Sequence, residues 1–351
     1  MAPLSRVHEG GSTISNLVHQ FWSQTIDGLT IGAIYALVAL GYTMVYGVLR
    51  LINFAHSEVF MLGTFGALVA AHFMGLNGVG STHHGLGLLL ILVGCALVAM
   101  AYSGATAVVL ERIAYRPLRK RGASRLAALI SAIGASLFLQ EAVSAWRGNI
   151  RWRALHLGHL PVFPNLPLVS AKRDADQFPR ILTKSTWFHV FDGQVRNDKV
   201  LIFVAAIFMM VVLDQIVRRT RLGRGIRAVA QDPETATLMG VDIDRVITLT
   251  FLLGGIMAGA AGFLYVLYIE NTSYIVGFVL GIKAFTAAVL GGIGNLRGAL
   301  VGGLLLGLVE NYGAAVLGTQ WKDPIAFAVL LAVLMARPTG LLGEALAKAR
   351  A

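Results

Sequence analysis

Nine apolar runs recur along this chain, each set off from the next by a polar or glycine-rich break, and this recurrence limits the fold more than any single motif. They cover residues 26–49, 59–76, 85–110, 126–146, 200–217, 246–269, 277–293, 298–317 and 324–336. A bilayer core about 30 Å thick takes roughly 20 residues of helix to cross. Backbone groups in lipid must bond within their own segment, so helix is the form such runs adopt. The last three runs are short or rich in glycine, and one of them can enter the membrane without crossing it. The sequence therefore predicts an all-α polytopic membrane protein, a bundle of about eight to nine membrane segments with at least one broken or re-entrant helix. Charged residues make up 13% of the chain, against roughly 25% in soluble domains.

The net charge of +11 would suggest nucleic acid in a soluble protein. Here the basic residues flank apolar runs, so they serve topology and contact with anionic headgroups, and no nucleic-acid partner is expected. Arg112, Arg116, Arg119, Lys120, Arg121 and Arg125 fill one gap, and Arg218, Arg219, Arg221, Arg224 and Arg227 fill another two runs later. The positive-inside rule puts both gaps in the cytoplasm, with Arg337, Lys348 and Arg350 bringing the C-terminus to the same side. The side of the N-terminus stays open. Segment 147–199, with Pro161, Pro164, Pro167, Pro179, Trp152, Trp187, Phe188 and Phe191, then faces outward as a partly ordered loop, either a lid or spacer without ligand contact or a loop that carries function. No soluble domain is visible, so residues 1–351 form a single transmembrane domain with an external loop at 147–199 and a cytoplasmic loop at 218–245. The stretch before residue 21 is too polar for a signal-peptide core, and the first apolar run is expected to be retained. Cys95 is the single cysteine, which excludes an intrachain disulfide.

Glycine is abundant, with 40 residues. The pairs Gly28/Gly32, Gly255/Gly259, Gly277/Gly281, Gly294/Gly298, Gly298/Gly302 and Gly303/Gly307 have the spacing that lets helices approach closely in lipid. Most of them are expected to pack, whereas Gly291-Gly292-Ile293-Gly294 is dense enough to break a helix. A faint internal repeat relates 28–66 to 277–307.

Three places carry polar groups among the apolar runs. Asn53, His56 and Glu58 interrupt the first two runs, and ionisable groups at membrane depth are costly unless they face protein or water. Two readings stand: a helix break along a translocation route, or a tight turn in which Asn53 or Ser57 caps the next helix. The second place is 218–245. Asp232 or Thr235 caps a short helix over 233–239, Pro233 suits its first position and Gly240 ends it. That helix either docks another chain or belongs to a solvated loop. The third is Lys283, alone within its run, with Glu310 in the next run. It is a candidate for the substrate path or a side chain that snorkels to an interface. Asp27, Glu111, Glu141 and Glu270 lie near run ends and are expected at the interface. The chain has no phosphate-binding G-x-x-x-x-G-K-[ST] loop, no H-E-x-x-H and no G-x-S-x-G, and His83-His84 do not have metal spacing, so no enzyme is expected.

Residues 28–56, from Gly28-Leu-Thr-Ile-Gly through Leu51-Ile-Asn-Phe-Ala-His56, closely resemble the permease family of branched-chain amino acid importers of the ATP-binding-cassette class. So do 227–246 (Arg-Ala-Val-Ala-Gln-Asp-Pro-Glu-Thr-Ala-Thr-Leu-Met-Gly), 281–294 and Arg337-Pro-Thr-Gly-Leu-Leu-Gly343. The resemblance implies a permease domain working with two ATPase subunits, a second related permease subunit, a periplasmic or lipid-anchored solute-binding protein and the lipid bilayer. It implies no cofactor in this chain, with ATP and Mg held only in partner subunits, and a place in the bacterial cytoplasmic (inner) membrane. Glu234, Ala236 and Gly240 fall at the family's coupling motif, where Thr235 replaces an Ala, and Asp232 just before it joins them as a candidate for coupling to the ATPase. Ser57 stands where the family has Gly. Leu, Ile and Val are the implied cargo. Relatives that import urea or short-chain amides share much of the pattern, and a self-contained ion-coupled carrier would need more central ionisable residues than Lys283.

Overall fold

A computed structural model describes residues 20–76, 85–148, 176–190 and 193–343. His83, His84, Trp152, Phe191, Pro161, Pro164, Pro167, Lys348 and Arg350, and the stretch before residue 20, lie outside the described residues. The helices are α1 (Phe21–Leu49), α2 (His56–Phe73), α3 (Leu86–Leu110), which continues through a π turn (Glu111–Tyr115) into α4 (Arg116–Lys120), and α5 (Arg125–Gly148). Strands β1 (Asp176–Gln177), β2 (Thr186–Val190) and β3 (Gly193–Arg196) follow. Next come α6 (Asn197–Arg219), α7 (Arg221–Gln231), α8 (Pro233–Leu238), α9 (Ile243–Ile269), β4 (Asn271–Thr272), α10 (Val276–Gly291), α11 (Leu296–Leu317) and α12 (Lys322–Ala336). Two small antiparallel sheets, β1 with β4 and β2 with β3, cap one end of the bundle.

Among the described residues, seven helices are long and apolar enough to cross a membrane. α10 is shorter, and the polar first turn of α2 lowers its hydropathy. α1 lies at the centre, with 89% of its apolar window buried, while the window ending in α12 is only 6% buried and faces outward. α9 runs beside α1, and the two backbones touch where Gly41 meets Gly254.

The glycine spacing does the packing that the sequence predicts. A Cβ on Gly32 would sit 2.8 Å from the Gly303 carbonyl oxygen, and one on Gly259 2.5 Å from that of Ala99, so α1 rests directly on α11 and α9 on α3. With no hydrophobic force between helices in lipid, this backbone contact supplies van der Waals attraction. Gly292 and Gly294 have φ of 106° and 100°, and α10 ends at Gly291 as the glycine cluster predicts.

α2 and α10 start inside the bundle rather than at its ends. His56 lies against Gly41, in the middle of α1, and Gly277 lies against Ser57 and Glu58, so the two helices meet at their N-terminal ends. α1–α2 and α9–α10 share one pattern, a long helix closed by a residue with positive φ, a short break and a shorter helix.

Two of the basic groups that the sequence assigns to one side gather at one end of the bundle. Arg116 and Arg119 of α4 contact Thr248 and Asp244 of α9, the helix that follows the arginine-bearing 218–227 stretch and α8. The described part of 147–199 lies at the opposite end, and so does the start of α1, where Gly193 packs on Trp22 and Ile26.

Candidate functional site

The first predicted place is built around the end of α1. Arg50 adopts φ 53°, its backbone N–H donates to the Tyr46 carbonyl, and its guanidinium donates to the Ala230 carbonyl at 3.1 Å. The chain then turns back into the bundle. Asn53 and Ser57 do not cap α2, whose N-cap is Ala55 without a side-chain bond. Burial redirects both side chains: the Asn53 carbonyl oxygen accepts from the Tyr115 hydroxyl at 2.7 Å, and the Ser57 hydroxyl donates to the Phe54 carbonyl at 2.6 Å. His56 is edge-on to Tyr42, with ring centroids 4.8 Å apart, over the gap left by Gly41. Glu58 is fully buried. One carboxylate oxygen accepts from Ser136 of α5 at 3.2 Å and from Ser57 at 3.4 Å, and the other faces Gly277 without a hydrogen-bond partner among the described residues.

Lys283 is not the isolated charge that its sequence context suggests. Its ammonium is 2.9 Å from Glu310 and 2.6 Å from Asp323, and Tyr35 donates to the second Glu310 oxygen at 2.9 Å. A lone ammonium among these helices would be expensive, and the pairing removes most of that cost. Tyr35, Lys283 and Glu310 floor a cavity of about 230 Å³ among α1, α9, α10, α11 and α12, which extends to Asp27 and Ile269 near the strand-bearing end. Asn53, His56 and Glu58 do not line it: Glu58, with its neighbour Ser57, contacts another face of α10 at Gly277 and Gly281, His56 lies against Gly41, and Asn53 is held by Tyr115. The predicted path residues thus form two separate clusters.

At the arginine-rich end, α7 is an amphipathic helix that the sequence reading missed. Ile226 and Val229 are buried on one face, and Thr220 caps the helix by accepting from Gly223 N–H at 3.1 Å. The signal lay in apolar residues at helical spacing, masked by the arginines read only as topology. α8 follows the sequence closely. Asp232 is its N-cap and accepts from Glu234 N–H at 3.0 Å, Pro233 opens it, and Thr235 donates to Asp232 instead of capping. This bond from Thr235 holds the Asp232 carboxyl below its usual range.

Gly240 N–H donates to Thr237 and Val241 N–H to Ala236, the paired closing bonds of a left-handed C-terminal cap, with Gly240 at φ 81°. Ala236 is buried, while Leu238 and Met239 are 87% and 80% exposed at the tip. Below the tip, Glu111 is fully buried, not interfacial as the sequence suggests. It takes Arg116 at 3.2 Å, Arg119 at 3.4 Å and Thr248 at 3.0 Å, which ties the π turn after α3 to the start of α9.

The family described as branched-chain amino acid transport system / permease component matches residues 24–334. The chain is 39% identical over 330 residues to the high-affinity branched-chain amino acid transport system permease protein BraD of Pseudomonas aeruginosa, covering 93% of this chain and 97% of that one. It is 39% identical over 327 residues to the corresponding protein LivH of Escherichia coli K12, covering 92% and 96%. A probable LivH permease of Methanocaldococcus jannaschii is 25% identical over 317 residues, 88% of each chain.

Proposed function

This chain belongs to the branched-chain amino acid permease family, and from that premise we propose that it is the membrane-spanning subunit of an ATP-driven importer for Leu, Ile and Val. Residues 1–351 act as one permease domain in the bacterial cytoplasmic membrane. The polypeptide crosses nine times, with seven full helices and two crossings, through α2 and α10, that combine an extended entry with a shorter helix. The basic end lies in the cytoplasm, together with the C-terminus, and segment 147–199 lies outside.

ATP and Mg are bound by two partner ATPases, and this chain holds no cofactor. A second permease completes the pathway, and a periplasmic or lipid-anchored binding protein delivers the cargo. Asp232, Glu234, Ala236 and Gly240 shape the coupling helix, while Asn53, His56, Glu58 and Lys283 stand along the substrate path.

The observation that carries this reading is the exposure of Leu238 and Met239 on a helix capped at both ends. Two large apolar side chains held in water on a rigid tip suit a partner's groove. The test uses the reconstituted complex. Gly240→Val forces a β-branched residue into the left-handed region, and deletion of 233–239 removes the tip. Either change is expected to abolish stimulation of ATP hydrolysis by the loaded binding protein, with the subunits still associated. Unchanged stimulation in both would refute the coupling assignment.

A further inference from the structure

We propose that the cavity floored by Tyr35, Lys283 and Glu310 binds the ammonium and carboxylate of a neutral amino acid, and that Asp323 holds the place of the ligand's carboxylate until it arrives. The proposal rests on the importer reading above and adds to it a site and a recognition chemistry.

The charges of the cavity are balanced. Asp27 and Glu310 contribute two carboxylates to its wall and Lys283 and Lys322 two ammonium groups, and the partners that sit on them, Asp323 on Lys283 and Lys199 on Asp27, add one charge of each sign. Asp27 is also paired with Lys199 at 2.6 Å. A ligand with net charge would leave one charge uncompensated in a partly desolvated space, which is costly. A zwitterion adds one charge of each sign and keeps the balance. Ile31, Val279 and Leu280 supply apolar wall for an aliphatic side chain. The volume, about 230 Å³, equals roughly seven or eight waters at about 30 Å³ each, close to the heavy-atom count of leucine.

The two carboxylates on Lys283 differ in kind. The Glu310 side chain is 3% exposed and also holds the Tyr35 hydroxyl, so it is fixed. The Asp323 side chain is 55% exposed, at the start of α12, and can move into water. An incoming carboxylate can take its 2.6 Å position on the ammonium with no change in the charge around Lys283. The ligand's ammonium then lies toward the Glu310 carboxylate, which shares Lys283 with the displaced position.

The test measures leucine binding to the purified, nucleotide-free importer complex, with isovalerate and isopentylamine as analogues that keep one charge each. Asp323→Asn removes the competitor and is expected to tighten leucine binding about two- to fivefold, a gain that a merely structural ion pair would not give. Lys283→Met is expected to lose binding, and neither analogue should compete at concentrations where leucine saturates. Unchanged or weaker binding in Asp323→Asn, or equal competition by either analogue, overturns the proposal. ATP-driven leucine uptake by the parent complex is measured in parallel. Its absence would sink the importer reading, while uptake with no Asp323 effect would sink only the site.

Discussion

Arg50 and Glu270 are the two non-glycine residues with positive φ among those described, at 53° and 60°, and each ends a long central helix six residues before a shorter helix that starts inside the bundle. Arg50 does this at the arginine-rich end and Glu270 at the strand-bearing end, so the two breaks are inverted copies. The left-handed region costs a non-glycine residue roughly 1–2 kcal/mol, and both positions offset it with ties to neighbouring segments. Arg50 holds the Ala230 carbonyl shortly before α8, and Glu270 holds Arg180 at 2.7 Å and Lys184 at 2.6 Å.

Replacing Arg50 with Gly separates the two roles. The turn is relieved by about 1 kcal/mol, while the bond to Ala230 is lost at a similar magnitude. Thermal stability should stay within about 1 kcal/mol of the parent, yet transport per ATP hydrolysed should fall, because the helix break is no longer tethered to the segment before α8. Uptake and hydrolysis measured together on one preparation decide it; an unchanged ratio removes the tether.

Acid should weaken the strand-bearing end through Glu270. Burial pushes its carboxyl up, but hydrogen bonds from Lys184 and Arg180 outweigh this and hold it below its ordinary value. Because the folded value lies under the unfolded one, the contribution is complete above the ordinary glutamate range, about 4.3, and disappears as pH falls through the folded value. Melting curves of the parent and Glu270→Gln should differ at neutral pH and converge in acid. A constant difference would contradict the assignment.

Gly303→Leu should prevent assembly of the bundle. A Cβ there would lie 2.5 Å from the Ala36 backbone nitrogen, with no flexible atom to give way. Overpacking of this kind costs about 1–3 kcal/mol and sometimes more, so the yield of monodisperse protein should drop sharply. Gly47→Leu, where a Cβ meets nothing within 4 Å, is the control that should express normally.

Glu58→Ala leaves the Ser136 hydroxyl buried without its acceptor, a loss of about 1–3 kcal/mol. Glu58→Gln keeps an acceptor for Ser136 and should cost less. In the double variant with Ser136→Ala the losses should be less than additive, as for groups in contact. Additive losses would show that the 3.2 Å contact contributes nothing.

Several features were legible because they depend on local chemistry. Pro233 after Asp232 and a glycine at 240 specify a capped helix by backbone rules alone, and α8 forms where those rules put it. The small-residue spacing announced close helix contacts, and Gly291 to Gly294 announced a break. The partners of Lys283 were not legible. Glu310 stands 27 residues away and Tyr35 a further 248 residues before Lys283, and no periodicity links them. Asn53 read as a cap because its neighbours in sequence suggest one, but Tyr115, brought in by α3, took its oxygen.

The order of residues alone determined the class of molecule: apolar runs this long can satisfy their backbones in lipid only as helices, and basic clusters orient them. It also determined α8, whose caps are made by residues within a few positions of one another. Tertiary structure decided which helices touch, where α2 and α10 begin, and that Lys283 belongs to a cavity while Glu58 lies outside it. The division follows from the range of the forces. Capping and hydrophobic length act within a turn or a segment, whereas pairing a buried charge requires side chains from distant helices to arrive at one point, and only the packed bundle specifies that.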